Sequence, residues 1–359
     1  MPDYDFVIAG AGLAGACAAL HLSGHGSVLV LEKGVPAGGG SGAAAGLINP
    51  ILGLRACPVW RIDAALSALD ETVSLAGASD LFDRGPTLRP AYGTDQVERF
   101  RRAAQEFPEH ARWIGPSGCA ERYPHVVARD GGLLITTGGI IDITAFVLRM
   151  LSAAKGRGAV LRSGRAVADW DDTGVTLENG ECISSRHTLL ALGRAYAQFP
   201  ELACLRLHQV KGQTIRLTRP SGLRDDLLHL AGRGYVARES HSAAESGGRL
   251  IAGSTYEHTF EHMRPTKRQT SAILKKITAM LPALADAEIL DERAGVRVTV
   301  PGIRLPMVGP LPGRKNVWIF TGFGAKGLLT APLAARELAA YFSDPGLIPG
   351  ETRVRAARR

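Results

Sequence analysis

The 359-residue sequence contains only five cysteines, Cys17, Cys57, Cys119, Cys182 and Cys204, with no CxxC pair and no cysteine beside a histidine at metal-ligand spacing. This scatter argues against a disulfide framework and against a structural metal site, so a reducing, cytoplasmic setting with no bound metal is expected. Long apolar runs are also missing. No stretch approaches the roughly 18 uninterrupted apolar residues of a spanning helix, and a transmembrane segment is not expected. Met1 to Asp5 carry acid and no base, unlike a secretory leader. Aromatic residues make up only 6% of the chain, and no segment interleaves them with basic residues as an RNA-stacking platform would.

The sequence is rich in apolar residues, glycine and positive charge. With 45% of residues hydrophobic, 359 residues can bury a large core, and two interlocked domains are expected rather than one. The formal net charge of +8 suits anionic substrates, nucleic acid or anionic lipid, and composition does not choose among them. Arg353, Arg355, Arg358 and Arg359 supply part of the excess, and residues 346–359 read as a flexible basic tail.

Residues 4–9 read as a buried strand, 13–24 as a small-residue helix and Val28 to Leu31 as a second strand. Strand, glycine turn, helix and strand within about 30 residues make the βαβ unit of a doubly wound sheet. Residues 63–76, 95–107 and 267–280 have helical patterning. Between about 205 and 255, runs such as Gln213 to Thr218 and Arg249 to Ser254 alternate as half-buried strands do, with turns at Pro220, Gly232 and Gly247. They predict a second, antiparallel domain. Near the C-terminus the order strand (Val317 to Thr321), glycine turn, helix (Leu328 to Phe342) returns. The fold class expected is α/β: a Rossmann-like nucleotide-binding domain with an α+β domain built on an antiparallel sheet.

Gly10-Ala11-Gly12-Leu13-Ala14-Gly15 is a GxGxxG fingerprint, with Glu32 twenty residues after Gly12 at the tip of the second strand. Gly10 permits the tight turn, Gly12 admits a pyrophosphate to backbone amides at the helix N-terminus, and Gly15 lets helix and sheet pack closely. Glu32 can accept hydrogen bonds from both ribose hydroxyls. The fingerprint serves NAD and FAD alike, but two other segments favour the larger cofactor. Ser41-Gly-Ala-Ala-Ala-Gly46-Leu47-Ile48 lets backbone wrap a ligand, and Gly322-Phe-Gly-Ala-Lys326-Gly-Leu-Leu329 places another helix N-terminus where it can face an anionic flavin ring.

Together the fingerprint, SGAAAGLI and GFGAKGLLTAP resemble the D-amino-acid oxidase type of FAD-dependent oxidoreductase, the group that includes glycine oxidase and sarcosine oxidase. Gly138 to Asp142, Val210 to Gln213, Ile251 to Tyr256 and Val296 to Gly309 follow in the family's order, so the resemblance spans nearly the whole chain. It implies a discontinuous FAD-binding domain, assigned to 1–85, 140–205 and 290–345, and a substrate domain assigned to 86–139 and 206–289. It also implies FAD contacts at Gly12, Leu13, Glu32, Lys33, Ser41, Gly42, Gly46, Leu47 and Ile48. Val167 is assigned to the adenine side, and Phe323, Gly324, Ala325, Lys326, Gly327, Leu328 and Leu329 to the flavin. Some sarcosine oxidase relatives attach flavin through a late cysteine, whereas the last one here is Cys204, so non-covalent FAD is expected.

Arg297 lies where many of these enzymes carry a Gly-x-Arg-Pro signature and use the arginine to hold a substrate carboxylate; here Val298 replaces the proline, and Arg293 is the neighbouring alternative. Lys326, inside the flavin-facing turn, suits an anionic substrate group, reduced flavin or reaction with oxygen. Glycine oxidases tend to carry an arginine where this chain has Ala325. Tyr235 and Tyr256 fall on strands assigned above the flavin, and His208 on a strand entry that reads as structural. The resemblance implies hydride transfer from a carboxylate-bearing amine or amino acid to flavin N5, then imine hydrolysis, with oxygen or another acceptor taking the electrons. Three alternatives stay open at this point: a 2-hydroxy-acid dehydrogenase, an oxidase acting on a modified wobble uridine of tRNA, and a non-catalytic flavin sensor.

Overall fold

The strand Tyr4–Ala9 is followed by the helix Leu13–Leu22, which is alanine- and leucine-rich and is buried on most sides against Ile143–Gly156 and Gly327–Ser343. Small residues permit this close packing of three helices. A Cβ on Gly15 would lie 1.8 Å from the Gly10 carbonyl oxygen, so the third glycine of the fingerprint is where helix and turn touch. A computed structural model describes residues 1–221, 223, 229–239 and 248–355.

The first sheet has eight strands. Its parallel core runs Val160–Ser163, Val28–Glu32, Tyr4–Ala9, Cys182–Leu190 and Val317–Thr321, and Met307–Pro310 closes one edge antiparallel. The antiparallel hairpin Val167–Asp171 and Gly174–Leu177 branches from the start of Cys182–Leu190. The first strand bonds to both Val28–Glu32 and Cys182–Leu190, so the sheet is wound in both directions from it and the cleft opens at the strands' C-terminal ends.

The second sheet also has eight strands. Its order is Ile289–Thr299, His208–Thr218, Arg249–Gly253, Tyr235–Arg238, His229–Ala231, Thr87–Pro90, Gly132–Ile135 and Ala111–Ile114. All neighbours are antiparallel except His229–Ala231 with Thr87–Pro90. Ile273 and Ile277 of the helix Lys267–Thr278 bury themselves in the core on the side away from the cleft. The helices predicted at 63–76, 95–107 and 267–280 form as Ile62–Leu75, Thr94–Glu106 and Lys267–Thr278. No helix among the described residues is long and apolar enough to cross a membrane.

Three expectations need correction. Residues 290–299 are expected in the nucleotide-binding domain, but Ile289–Thr299 pairs with His208–Thr218 over nearly its whole length and forms the edge of the second sheet. Residues 346–355 are docked rather than solvated: Val308 N–H donates to the Thr352 carbonyl at 2.9 Å, and the Arg353 guanidinium donates to the Gly346 and Ile348 carbonyls at 3.0 and 2.9 Å. Tyr256 lies beyond the end of the strand Arg249–Gly253. The turn expected at Gly247, and Arg358 and Arg359 of the tail, lie outside the described residues.

The 40–43 loop and the second sheet meet along a close backbone seam. The Thr214 hydroxyl donates to the Ala43 carbonyl at 3.0 Å and Arg293 donates to the Gly42 carbonyl at 3.3 Å. A Cβ on Gly295 would lie 2.8 Å from the Ala43 Cβ and 3.0 Å from the Gly40 Cα. Gly295→Val therefore overpacks the seam at a cost of about 1–3 kcal/mol. Thermal unfolding followed by circular dichroism should show a melting temperature lower by several degrees; a shift below about 1 °C would contradict the contact.

Candidate active site

A cleft of about 750 Å³ runs from the first βαβ unit to the substrate sheet. At one end Leu13 N–H, in the first turn of its helix, donates to the Ser41 hydroxyl at 3.0 Å. That turn has no acidic residue, and Gly12 offers no side-chain cap, so the positive end of the helix faces the cleft largely uncompensated. The two Glu32 oxygens accept from Ala11 N–H and Gly34 N–H, each at 2.9 Å. These bonds fix the carboxylate and leave it lone pairs for a diol.

Gly10, Gly12, Leu13, Glu32, Lys33, Ser41, Gly46, Leu47 and Ile48 line this cleft together with Gly322, Phe323, Gly324, Ala325, Lys326, Gly327, Leu328 and Leu329. Both ends of the chain thus reach one site. Three residues assigned to the cofactor are not among those lining the cleft. Gly15 is within the helix, on the side packed against the Gly10 turn, Gly42 packs against Ala37, and Val167 is in the branching hairpin among the residues packed on Trp170 and Val175.

Lys326 precedes the helix Gly327–Ser343 and is half-buried. Its ammonium titrates below the usual lysine range, chiefly because burial disfavours the charge, with the Arg304 guanidinium adding repulsion and Cys57 opposing it.

Arg297 projects from the edge strand into the same cleft. Its guanidinium donates to the Thr255 carbonyl at 3.2 Å and the Ser254 hydroxyl at 3.1 Å, and lies 4.9 Å from the Tyr256 ring centroid. Gly212, on the neighbouring strand, makes room for it: a Cβ there would be 2.3 Å from Nη1. No described carboxylate pairs with Arg297, whereas Arg293 is tied to Asp291 at 2.7 Å and to the loop, so Arg297 is the guanidinium free for a ligand. Tyr235 and Tyr256 also line the cleft. Burial raises the Tyr235 phenol pKa, with Arg297 pulling the other way, and the hydroxyl is a proton donor across the neutral range. Tyr256 is 61% exposed and forms the mouth. His208 is off the cleft, sharing a 2.9 Å hydrogen bond with His258.

A family model described as DAO, FAD-dependent oxidoreductase, matches residues 5–341. The chain belongs to this FAD-dependent oxidoreductase family. It is 27% identical over 357 residues to the uncharacterized oxidoreductase YurR of Bacillus subtilis, covering 93% of this chain and 94% of that protein. It is also 27% identical over 363 residues to the tRNA 5-methylaminomethyl-2-thiouridine biosynthesis bifunctional protein MnmC of Thiobacillus denitrificans, covering 92% of this chain but only 55% of that protein. The fold matches glycine oxidase from Geobacillus kaustophilus, with a TM-score of 0.84, 20% identity and full coverage of both chains. It matches iminodiacetate oxidase from Chelativorans sp. BNC1 with a TM-score of 0.82 and 24% identity, over 98% of this chain and 100% of that one.

The motifs did not reveal every residue that lines the site. Ala191 to Ala195 follow the strand Cys182–Leu190 and line the cleft beside Gly10, and a Cβ on Gly10 would lie 2.4 Å from the Ala191 carbonyl oxygen. The Ala-Leu-Gly run after Leu190 was the available signal. Arg89 and Arg233 also line the cleft, but their sequence neighbours give no hint of it.

Replacing Glu32 with Ala leaves the Ala11 and Gly34 amides without their acceptor and removes the carboxylate expected to hold a ribose. FAD affinity should fall roughly tenfold or more in a fluorescence titration of the apoprotein. Unchanged affinity would remove Glu32 from the cofactor site.

Proposed function

We propose that this family member oxidises a carboxylate-bearing amine or amino acid, and the observation that carries this reading is the carboxylate-free Arg297 guanidinium held at the cleft by Ser254 and Thr255. FAD suits the rest of the cleft: the amides at Gly12 and Leu13 would take its pyrophosphate, Glu32 its ribose, and the 46–48 and 322–329 segments its ring system. When bound, it supplies a two-electron acceptor. Arg297 would grip the substrate carboxylate in a bidentate pair, which fixes the Cα–H and amine relative to the ring site. Tyr235 and Tyr256 flank the same guanidinium and narrow the poses open to the amine. The oxidised substrate leaves as an imine, which water hydrolyses. The names of glycine oxidase and iminodiacetate oxidase, both similar in fold, agree with a small amine substrate.

Arg297→Gln removes a charge-assisted pair worth about 2 kcal/mol or more, so KM for the amino acid should rise about thirtyfold while kcat changes little. An unchanged KM would refute the carboxylate anchor.

Lys326 would place positive charge beside electron density arriving at the ring site. The ammonium is present below its depressed pKa and is lost as pH rises through it. In anaerobic stopped-flow reduction, the wild type should outpace Lys326→Met at neutral pH, and the two rates should converge as the ammonium deprotonates, at a pH below the ordinary lysine pKa of about 10.4. A constant ratio would contradict an electrostatic role.

A second reading is oxidation of a modified tRNA uridine. It draws on the similarity to MnmC and on the helix Lys267–Thr278, which carries Lys267, Arg268, Lys275 and Lys276 and no acid. Retention of tRNA at low salt, lost steeply as salt rises, would favour it.

A further inference from the structure

The substrate end of the cleft has a second unpaired cation. Arg233 lines it from the tip of the tight turn between His229–Ala231 and Tyr235–Arg238, two residues before Tyr235. Packing fixes this turn. Gly232 N–H donates to the Gly234 carbonyl at 2.7 Å, and a Cβ on Gly232 would lie 2.9 Å from the Met280 sulfur, while one on Gly234 would lie 2.7 Å from the Gly253 carbonyl oxygen. The Arg233 guanidinium rests 4.7 Å from the Tyr92 ring centroid, and no described carboxylate pairs with it. Stacking of this kind orients a guanidinium while leaving its edge donors free.

Arg89 strengthens the positive field there. It is buried, lines the cleft, and donates to the Ile51 and Gly53 carbonyls at 2.7 and 2.5 Å without any described acid partner. Burial lowers its pKa to about 10, so it keeps its charge at neutral pH. Arg89, Arg233 and Arg297 thus line one cleft, and no described carboxylate pairs with any of them.

We infer that the substrate is a dicarboxylic amine, an amino acid or N-carboxyalkyl amine whose second carboxylate is held by Arg233 while the first sits on Arg297. This assignment rests on the amine-oxidation reading and specifies its substrate class. A neutral side chain would leave Arg233 solvated, whereas a carboxylate placed beside it gains a charge-assisted pair on a pre-oriented donor.

The test uses FAD-loaded protein and ligands that cannot be oxidised. Propionate and the series succinate, glutarate and adipate are titrated while the flavin absorption is followed. The dicarboxylate of best-fitting length should bind about tenfold more tightly than propionate. Arg233→Gln should remove that advantage with propionate affinity nearly unchanged, and Arg233→Lys should restore part of it. The flavin content of each variant reports folding. No dicarboxylate preference in the wild type, or a preference that persists in Arg233→Gln, would overturn the second anchor alone. If Arg297→Gln left both ligand classes binding as before, the carboxylate-anchor reading would fall and this assignment with it.

Discussion

The structure depends on how closely the 40–46 loop lies against the edge strand of the substrate sheet. Gly295 has no space for a side chain between Ala43 and Gly40, and the Thr214 hydroxyl ties the same loop to the neighbouring strand. This contact joins a wall of the cofactor cleft to the sheet that carries Arg297. Because Gly295 and Arg297 are two residues apart on one strand, their positions point to the same face. The seam that locks the domains therefore also sets the reach of the guanidinium. A small displacement there would be transmitted directly to substrate placement, since tightly packed backbones do not absorb it.

The parts of the site legible in the sequence are those that depend on local backbone geometry. Glycines in a strand-turn-helix context mark a turn wherever they occur, and so the fingerprint, Glu32 and the 322–329 turn were readable from neighbouring residues. Arg297 was readable only through the resemblance to a family motif, and then without its proline. Its preference over Arg293 became clear only when Asp291 was seen to occupy Arg293. The edge strand Ile289–Thr299 was misassigned because the Asp291-Glu292-Arg293 run suppresses the apolar alternation, and the evidence for a strand lies in its long pairing with His208–Thr218. Arg233 depends on Thr87–Pro90 pairing with His229–Ala231, a contact across some 140 residues that no local pattern encodes. The docking of 346–355 is likewise made by backbone hydrogen bonds that composition does not reveal.

The two ends of the cleft differ in kind. The nucleotide end is built from backbone amides and small residues, which tolerate sequence divergence well, and the fold is shared with amine oxidases at 20–24% identity. The substrate end is built from side chains on separate strands, so its chemistry can change while the fold persists. Family membership therefore establishes the oxidoreductase class, and in the proposed reading the arginines select the substrate.

The most direct test of the central claim is the visible spectrum of the FAD-loaded protein under anaerobic conditions, before and after addition of amino acids and N-carboxyalkyl amines, with matched amides and 2-hydroxy acids as controls. Bleaching of the flavin by the carboxylate-bearing amines but not by their amides is the predicted result. Bleaching by hydroxy acids alone, or by amines regardless of the carboxylate, would contradict it.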